Sequence, residues 1–374
     1  MIIQHPMLWC AIALMAGIAL GLNFPLPYYL PLLIICVIAC TLLRKTRWHD
    51  VLTLVVWVLM GCCRADPLID NGQWTIDNGQ WTMFNELRDA LIGRLERSGV
   101  SPQTLALGEA LVVGKKDDLK FETKQAYRSV GASHLLALSG MHLGILYGFL
   151  YFFLVRWFRF SKWRWHILPL ILLCLWGYAL IAGMPVSLVR AALMLSILTI
   201  VSLMQYDTDS LHPLALSAII ILLIAPEELL SVSFQLSFVA VFFILALWRP
   251  ICDMFPRMPW IVRLFAVSCV ASLGTMPLVC YYFHQMPLLA PFLSVILIPL
   301  TTIIIYLTIA AMAVPIAPLG WLLNNIVALQ QGIIERAGSI PFATLTNLYP
   351  SKALIALIYG AMVVAIVRLI SRAS

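Results

Sequence analysis

The stretch HLLALSGMHLGILYGFLYFFLV, residues 134–155, decides the class of fold that this chain adopts. It contains no Asp, Glu, Lys or Arg, and it is long enough to cross the hydrocarbon core of a bilayer, which takes about 20 apolar residues in a helix. Its first half nevertheless holds two histidines, a serine and two glycines, which a purely structural span avoids. We therefore predict a transmembrane helix with a functional feature near its N-terminal end.

The composition of the whole chain also indicates a membrane protein. Of its 374 residues, 62% are hydrophobic and 11% are charged, and the mean hydropathy is +0.96. Soluble domains carry about 25% charged residues. We predict an all-α integral membrane protein, a polytopic bundle of about 10–11 transmembrane helices with short amphipathic interfacial helices. The predicted spans are 7–22, 27–43, 50–63, 134–155, 166–182, 188–204, 211–225, 234–248, 260–281, 288–314 and 352–370, the tenth broken near Pro299.

Basic residues predict how these helices are oriented, because Lys and Arg concentrate in cytoplasmic loops. Three basic clusters follow the second, fourth and eighth predicted spans, at residues 44–47, 156–164 and 249–263. They predict a multi-pass protein of the cytoplasmic (inner) membrane, with its N-terminus in the cytoplasm and residues 64–132 outside. Arg368 and Arg372 disagree, since eleven spans place the C-terminus outside. This topology explains the net charge of +7 better than a DNA-binding patch does.

The chain divides into three predicted parts. These are N-terminal transmembrane helices (1–63), a short extracytoplasmic segment (64–130) and a C-terminal transmembrane domain (131–374). The middle part begins with a tandem heptapeptide, IDNGQWTIDNGQWT, at residues 69–82. Its Asn-Gly pairs favour turns, so we predict a tolerant, exposed loop.

Amphipathic helices follow the heptapeptide. Apolar residues recur at helical spacing from Phe84 to Leu95, which predicts a helix on the membrane surface. Ser101 and Pro102 are typical of an N-cap and the first position of a second helix. A third helix is predicted at about 118–130, ending before Gly131.

The sequence predicts no catalytic residue, no metal site and no cofactor. The segment GEALVVGKK (108–116) resembles a P-loop, but five residues instead of four separate its glycines, and Lys116 stands where Ser or Thr would hold magnesium. The nine cysteines form no C-x-x-C pair. Ser139 lacks the preceding glycine of a nucleophile elbow and a nearby acid. We therefore predict that the protein is not an enzyme.

The polar residues of the opening stretch suggest a site within the membrane. His134, Leu138 and His142 fall near one face of a helix, with Ser139 one turn from His142. Ser139 and Gly140 are a natural place for a kink or for close approach of another helix. His142 is the stronger candidate for lining a polar path, whereas His134 fits a role as a cap near the outer interface.

Four ordered motifs resemble those of the ComEC family of competence membrane proteins. They are GASHLLALSGMHLG (131–144), PVSLVRAALM (185–194), APEELLSVSFQLSFVAV (225–241) and TMPLVCYYFHQMPLLAPFLSVILIPL (275–300). The resemblance identifies 131–374 as a competence-type transmembrane domain. It implies transport of single-stranded DNA across the cytoplasmic membrane during natural competence. It also implies partners, namely the DNA strand, separate nuclease, DNA-receptor and ATPase subunits, and a further copy of this chain.

The chain departs from the family pattern in several places. The interval 64–130 is too short for the soluble β-barrel domain of full-length relatives, and no metallo-β-lactamase-like nuclease domain follows the last span. Ser233 replaces a glycine before FQLSF, and Ser294 replaces an asparagine. The alternatives to DNA transport are a small-solute or lipid transporter, a membrane scaffold, a truncated non-functional relative, and a membrane hydrolase built on Ser139 and His142.

The remaining candidate residues are Arg190, Gln235, Ser237 and Phe238, and the first three have two interpretations each. Arg190 is either a positive charge at the outer mouth of the path, meeting phosphates, or an interfacial arginine that reaches the lipid headgroups. Gln235 and Ser237 either form hydrogen bonds between helices or line a path. Phe238 would stack on bases in that path.

Overall fold

The structure is a computed structural model that describes residues 6–23, 33, 36–37, 49–64, 82–136, 138–157, 164–203, 211–340 and 343–373. The tandem heptapeptide, apart from Thr82, and most of the predicted span at 27–43 lie outside these residues. The helices are α1 Pro6–Asn23, α2 His49–Arg64, α3 Thr82–Arg97, α4 Pro102–Gly108, α5 Phe121–Ser129, α6 Ser133–Leu136, α7 Gly140–Tyr151, α8 Arg164–Ile181, α9 Val186–Leu203, α10 Leu211–Ile224, α11 Val232–Met254, α12 Trp260–Phe283, α13 Ala290–Ala313, α14 Ala317–Gly338 and α15 Lys352–Ala373.

Shorter elements complete the described chain. The backbone continues as π-helix after α4 (Glu109–Val113) and after α7 (Phe152–Trp157), and a 3-10 turn covers Pro226–Leu230. Strands β1 (Gln285–Pro287) and β2 (Thr344–Thr346) form an antiparallel pair in which Gln285 lies opposite Thr346.

The structure confirms an all-α membrane protein. Helices α11, α12 and α13 are each long and apolar enough to cross a membrane. Shorter apolar helices coincide with the other predicted spans outside 27–43, namely at Met7–Leu20, Thr53–Cys62, Gly140–Leu154, Ile167–Ile181, Val186–Val201, Leu211–Ile224 and Lys352–Ile366. The number of spans and the three-part division stay predictions.

The chain forms two compact units. The first contains residues 1–77 and 193–242, and the second contains residues 78–192 and 243–374. In the first unit α1 packs against α2 so closely that a side chain on Gly17 would overlap the Val58 carbonyl group. Small residues permit such close approach of helix backbones in membranes.

The second unit is built around α13 and α14. Side chains of α3 to α6 share its buried core, including Leu95, Leu107 and Leu135, which are at most 1% exposed. Thus the part of segment 64–132 that the structure describes packs against the C-terminal helices. The Ser101 cap is confirmed, because its Oγ accepts the Thr104 N–H at 3.3 Å.

Two details of the predicted spans are wrong. The stretch 134–155 is not one helix, because α6 ends at Leu136 and α7 begins at Gly140. His134 and His142 therefore do not share a helical face, although the interruption falls where a kink is predicted. Conversely, α13 runs through Pro299 without a break. A membrane helix tolerates a proline when neighbouring groups satisfy the backbone carbonyl that it frees.

Helix α14 is not predicted from the sequence. Its buried stripe, Leu323, Val327, Gln330 and Ile334, follows helical periodicity, but the polar residues between these positions lower its hydropathy. The β1–β2 pair joins the segment before α13 to the segment after α14. The α13–α14 hairpin therefore returns the chain to the side from which α13 started.

Candidate functional site

The break between α6 and α7 is organised by Ser139 and His142. Ser139 has an extended backbone (φ −122°, ψ 168°) and is the N-cap of α7. Its N–H donates to His142 Nδ1 at 3.2 Å, and its Oγ lies 3.1 Å from the same nitrogen. His142 thus occupies the position that Glu or Gln takes in a capping box. Because Nδ1 accepts a backbone N–H, we assign the ring proton to Nε2.

The other nitrogen of His142 carries no hydrogen bond within the described chain. The residue is 1% exposed, and Nε2 is buried with no partner there. A buried polar group without a partner costs about 1–3 kcal/mol. A buried donor of this kind can form a hydrogen bond with a water molecule or with another acceptor group, and the lining role of His142 stays a prediction.

Helix α9 packs against this break. Ser187 Oγ donates to the Leu138 carbonyl at 2.6 Å, which satisfies a backbone acceptor that the interrupted helix leaves open. Gly140 permits the close approach, since an added Cβ would lie 3.1 Å from Ala191 Cβ. Arg190 lies three residues after Ser187 and therefore near the same face of α9.

Among the residues that the structure describes, Arg190 is the largest fully buried side chain, at 2% exposed. An arginine that reaches the lipid headgroups keeps its guanidinium in contact with the interface. The burial of Arg190 does not agree with that interpretation, and a role for its charge at the outer mouth of a path stays a prediction.

The loop after the π-helix Glu109–Val113 also reaches the break. Gly114 has a positive φ of 80°, and an added Cβ would lie 2.6 Å from Leu138 Cδ1 and 3.0 Å from the Ala182 carbonyl oxygen. This contact brings the next two lysines towards the site. The segment that resembles a P-loop therefore supplies charge to the break, a role that the sequence analysis missed.

The two lysines of this loop have different surroundings. Lys115 Nζ lies 3.0 Å from Asp118 Oδ2 and 3.7 Å from the buried Glu109 Oε2. Lys116 has no acidic partner within the described chain, and its positive charge acts on His142. Burial, together with the positive charge of Lys124, lowers the pKa of Lys116. Lys116 is thus the cation of this loop that is available to an anion.

His134 lies outside the buried part of the site. Its side chain is exposed, and Nδ1 lies 3.1 Å from the Gly131 carbonyl oxygen. This local contact agrees with a role as a cap.

Three candidate residues belong to the first unit. Gln235 Nε2 donates to the Leu229 carbonyl at 3.0 Å, a local bond at the start of α11. Ser237 is half-buried. Phe238 is 8% exposed and packs on Phe234 with ring centroids 4.3 Å apart. One face of Phe238 is therefore covered by another ring. The break itself brings together Ser139, Gly140 and His142 with the helix of Arg190.

A buried polar stripe runs along α13 and was also missed. Ser294, Thr301 and Thr308 are spaced by seven residues, so they lie on one face of the helix, and each is at most 8% exposed. Gln330 of α14 donates to Thr301 Oγ1 at 2.7 Å. The regular spacing of hydroxyl groups in an apolar span could have indicated this stripe from the sequence.

Comparison with known proteins identifies the family. The competence-protein family matches residues 111–372, which is more than half of the chain. The ComE operon protein 3 of Bacillus subtilis (strain 168) is 34% identical over 201 residues, 54% of this chain and 25% of that protein. An uncharacterized protein of Aquifex aeolicus (strain VF5) is 26% identical over 281 residues, 74% of this chain and 64% of that protein. The chain thus spans less than two thirds of each relative. No solved structure matches it. The chain belongs to the ComEC family of competence proteins.

Proposed function

We propose that this protein conducts single-stranded DNA across the cytoplasmic membrane during natural competence. Family membership carries the proposal, because the family match at 111–372 includes the α6–α7 break and the helices around it. The proposal implies the DNA strand as substrate, separate nuclease, DNA-receptor and ATPase subunits as partners, and assembly with further copies of this chain.

The chemistry of the break supports this function. A DNA backbone carries one negative charge per phosphate, so a path through the membrane needs fixed positive charges or hydrogen-bond donors. Arg190 places a fixed positive charge on the helix that packs against the break. The Nε2–H of His142 offers a neutral donor, which holds an anion less tightly. Conduction requires binding that is strong enough to admit the strand and weak enough to release it.

Deletion of the gene in its natural host tests the proposal. We expect transformation to fall to the background of spontaneous mutation, while DNA still binds to the cell surface. Expression of the full chain from another locus should restore transformation. Normal transformation of the deletion strain would contradict the proposal and favour a solute or lipid transporter or a scaffold.

A serine hydrolase is the second candidate, because Ser139 Oγ lies within hydrogen-bond distance of His142 Nδ1. In a Ser–His pair the lone pair of the base takes the serine proton. Here the same lone pair also accepts the Ser139 backbone N–H, which makes Nδ1 a poor base. A fluorophosphonate probe separates the candidates, since covalent labelling that Ser139→Ala abolishes would favour the hydrolase.

We also propose an orientation in which both termini are cytoplasmic. With a cytoplasmic N-terminus, eleven crossings would leave the C-terminus outside. Helix α14 is not one of these eleven crossings. The paired strands β1 and β2 keep the two ends of the α13–α14 hairpin on one side of the membrane, so α14 adds a crossing. The last helix, α15, then brings the chain back to the cytoplasmic side. Arg368 and Arg372 then follow the positive-inside rule.

Reporter fusions measure this orientation. Green fluorescent protein fused after Ser374 should fluoresce, and alkaline phosphatase at the same position should be inactive, because the C-terminus is cytoplasmic. A single cysteine at Lys120, in a cysteine-free background, should react with a membrane-impermeant thiol reagent in intact cells. An active phosphatase fusion at the C-terminus would contradict the orientation.

A further inference from the structure

A groove of about 500 Å³ opens between α5, the β1–β2 pair and the C-terminal end of α14. Helix α5 contributes Phe121, Lys124 and Arg128 to it, and the strands contribute polar groups. In the orientation proposed above, this groove lies on the outer side of the membrane, where an incoming strand arrives.

The α5 wall of the groove is positively charged. Lys124 and Arg128 are four residues apart, so their side chains lie on the same face of the helix. Within the described part of the chain neither forms a salt bridge. Two unpaired cations on one face are typical of a site that binds a polyanion.

The same wall carries an unusually exposed aromatic ring. Phe121 is 77% exposed and lies one turn before Lys124. Single exposed apolar residues are common on protein surfaces. A ring beside two cations, however, is the combination with which proteins bind single-stranded nucleic acid, since bases stack on the ring while phosphates meet the charges.

The groove is linked to the break by charge. Lys124 is near enough to Lys116 for its charge to act on Lys116, and Lys116 acts in turn on His142. Like charges that are held together repel one another, and a bound anion relieves this repulsion.

We propose that this groove is the loading site for single-stranded DNA, with phosphates on Lys124 and Arg128 and a base stacked on Phe121. The inference rests on the proposed function, to which it adds the site where the strand first binds. From there the strand would pass Lys116 and reach the α6–α7 break.

Binding of a fluorescent oligo-dT strand to the full chain tests the proposal. The protein is held in nanodiscs of neutral phosphatidylcholine, and affinity is measured by anisotropy over a range of salt concentrations. We expect the double variant Lys124→Gln, Arg128→Gln to bind about tenfold more weakly at low salt, and its slope of log K against log salt to fall by about 1.4, because each phosphate contact on a single strand contributes about 0.7. Lys120→Gln is the matched control, because Lys120 is an exposed lysine of the same segment outside the groove.

The ring is tested separately. We expect Phe121→Leu to weaken binding by roughly tenfold with an unchanged salt slope, because stacking does not involve counterions. Phe121→Trp should bind at least as well as the unmodified protein. A change in salt slope equal to that of the double variant would mean that Phe121 only supports the helix.

Three results would overturn the loading site. The first is an unchanged affinity and salt slope in the double variant, and the second is an equal loss of DNA affinity in Lys120→Gln. The third is a double variant that no longer binds phosphatidylglycerol vesicles but still binds DNA, which would assign the groove to lipid headgroups.

A transformation assay separates this inference from the proposed function. If the deletion strain transforms normally while the groove variants lose DNA binding, the loading site stands and the transport function fails. If deletion abolishes transformation but the groove variants bind and transform normally, only the loading site fails.

Discussion

Replacing Gly320 with alanine is expected to prevent accumulation of folded protein in the membrane. The backbone of α14 lies so close to the turn after α3 that an added Cβ would overlap the Ser98 carbonyl oxygen. Asn324 holds this turn on both sides, accepting the Ser101 N–H at 2.9 Å and donating to the Gly99 carbonyl at 3.3 Å. The turn therefore cannot move away without breaking these bonds. We expect a loss of about 3 kcal/mol or more in the free energy of unfolding.

Gly332 provides the matched control on the same helix. A Cβ at this position meets nothing within 4 Å, so Gly332→Ala should be neutral or stabilise α14 by up to about 1 kcal/mol. The measurements are the level of membrane-inserted protein and the midpoint of thermal unfolding in detergent micelles. Equal behaviour of the two variants would show that α14 does not pack against the Ser98 turn as the structure has it.

Helix α14 also shows where prediction from the sequence fails. Long apolar runs in the sequence indicate α11, α12 and α13, because every face of these helices is mainly apolar. In α14 the apolar residues form one stripe, and Asn324, Asn325 and Gln331 lie between them, so the average hydropathy of any window is low. Its proline near the start and glycine at the end are ordinary helix limits. The helical periodicity of its apolar residues therefore indicates α14, whereas its average hydropathy does not.

Some residues of the candidate site could be selected from the sequence, and others could not. The polar residues of GASHLLALSGMHLG stand out from an apolar chain, so Ser139, Gly140 and His142 could be selected from the sequence. The bond between Ser139 and His142 depends on a break in the helix, and helix propensity alone does not place that break. Lys116 could not be selected, because only the tertiary packing of Gly114 on Leu138 brings its loop to the site.

Substitution of His142 is expected to abolish DNA uptake without preventing folding. His142→Ala removes both the capping bond to Ser139 and the Nε2 donor, so the loss of the cap should cost about 1 kcal/mol of stability. The family match and the burial of this ring predict a far larger effect on transformation. We expect transformation to fall to the level of the deletion strain, while membrane-inserted protein remains at most modestly reduced.

His142→Gln separates the cap from the lining role. Glutamine is a common capping-box residue at this position, so its Oε1 should accept the Ser139 N–H and restore the protein level that alanine lowers. It cannot place a ring N–H where Nε2 lies, so we expect transformation to stay defective. His142→Glu keeps the cap as well but adds a negative charge that repels phosphates, so its transformation should also fall to the level of the deletion strain. His134→Gln is the control, because the side chain of this histidine is exposed and its Nδ1 bonds locally to the Gly131 carbonyl oxygen. If His142→Gln restores both protein level and transformation, the cap is the whole role of His142, and the strand must pass elsewhere.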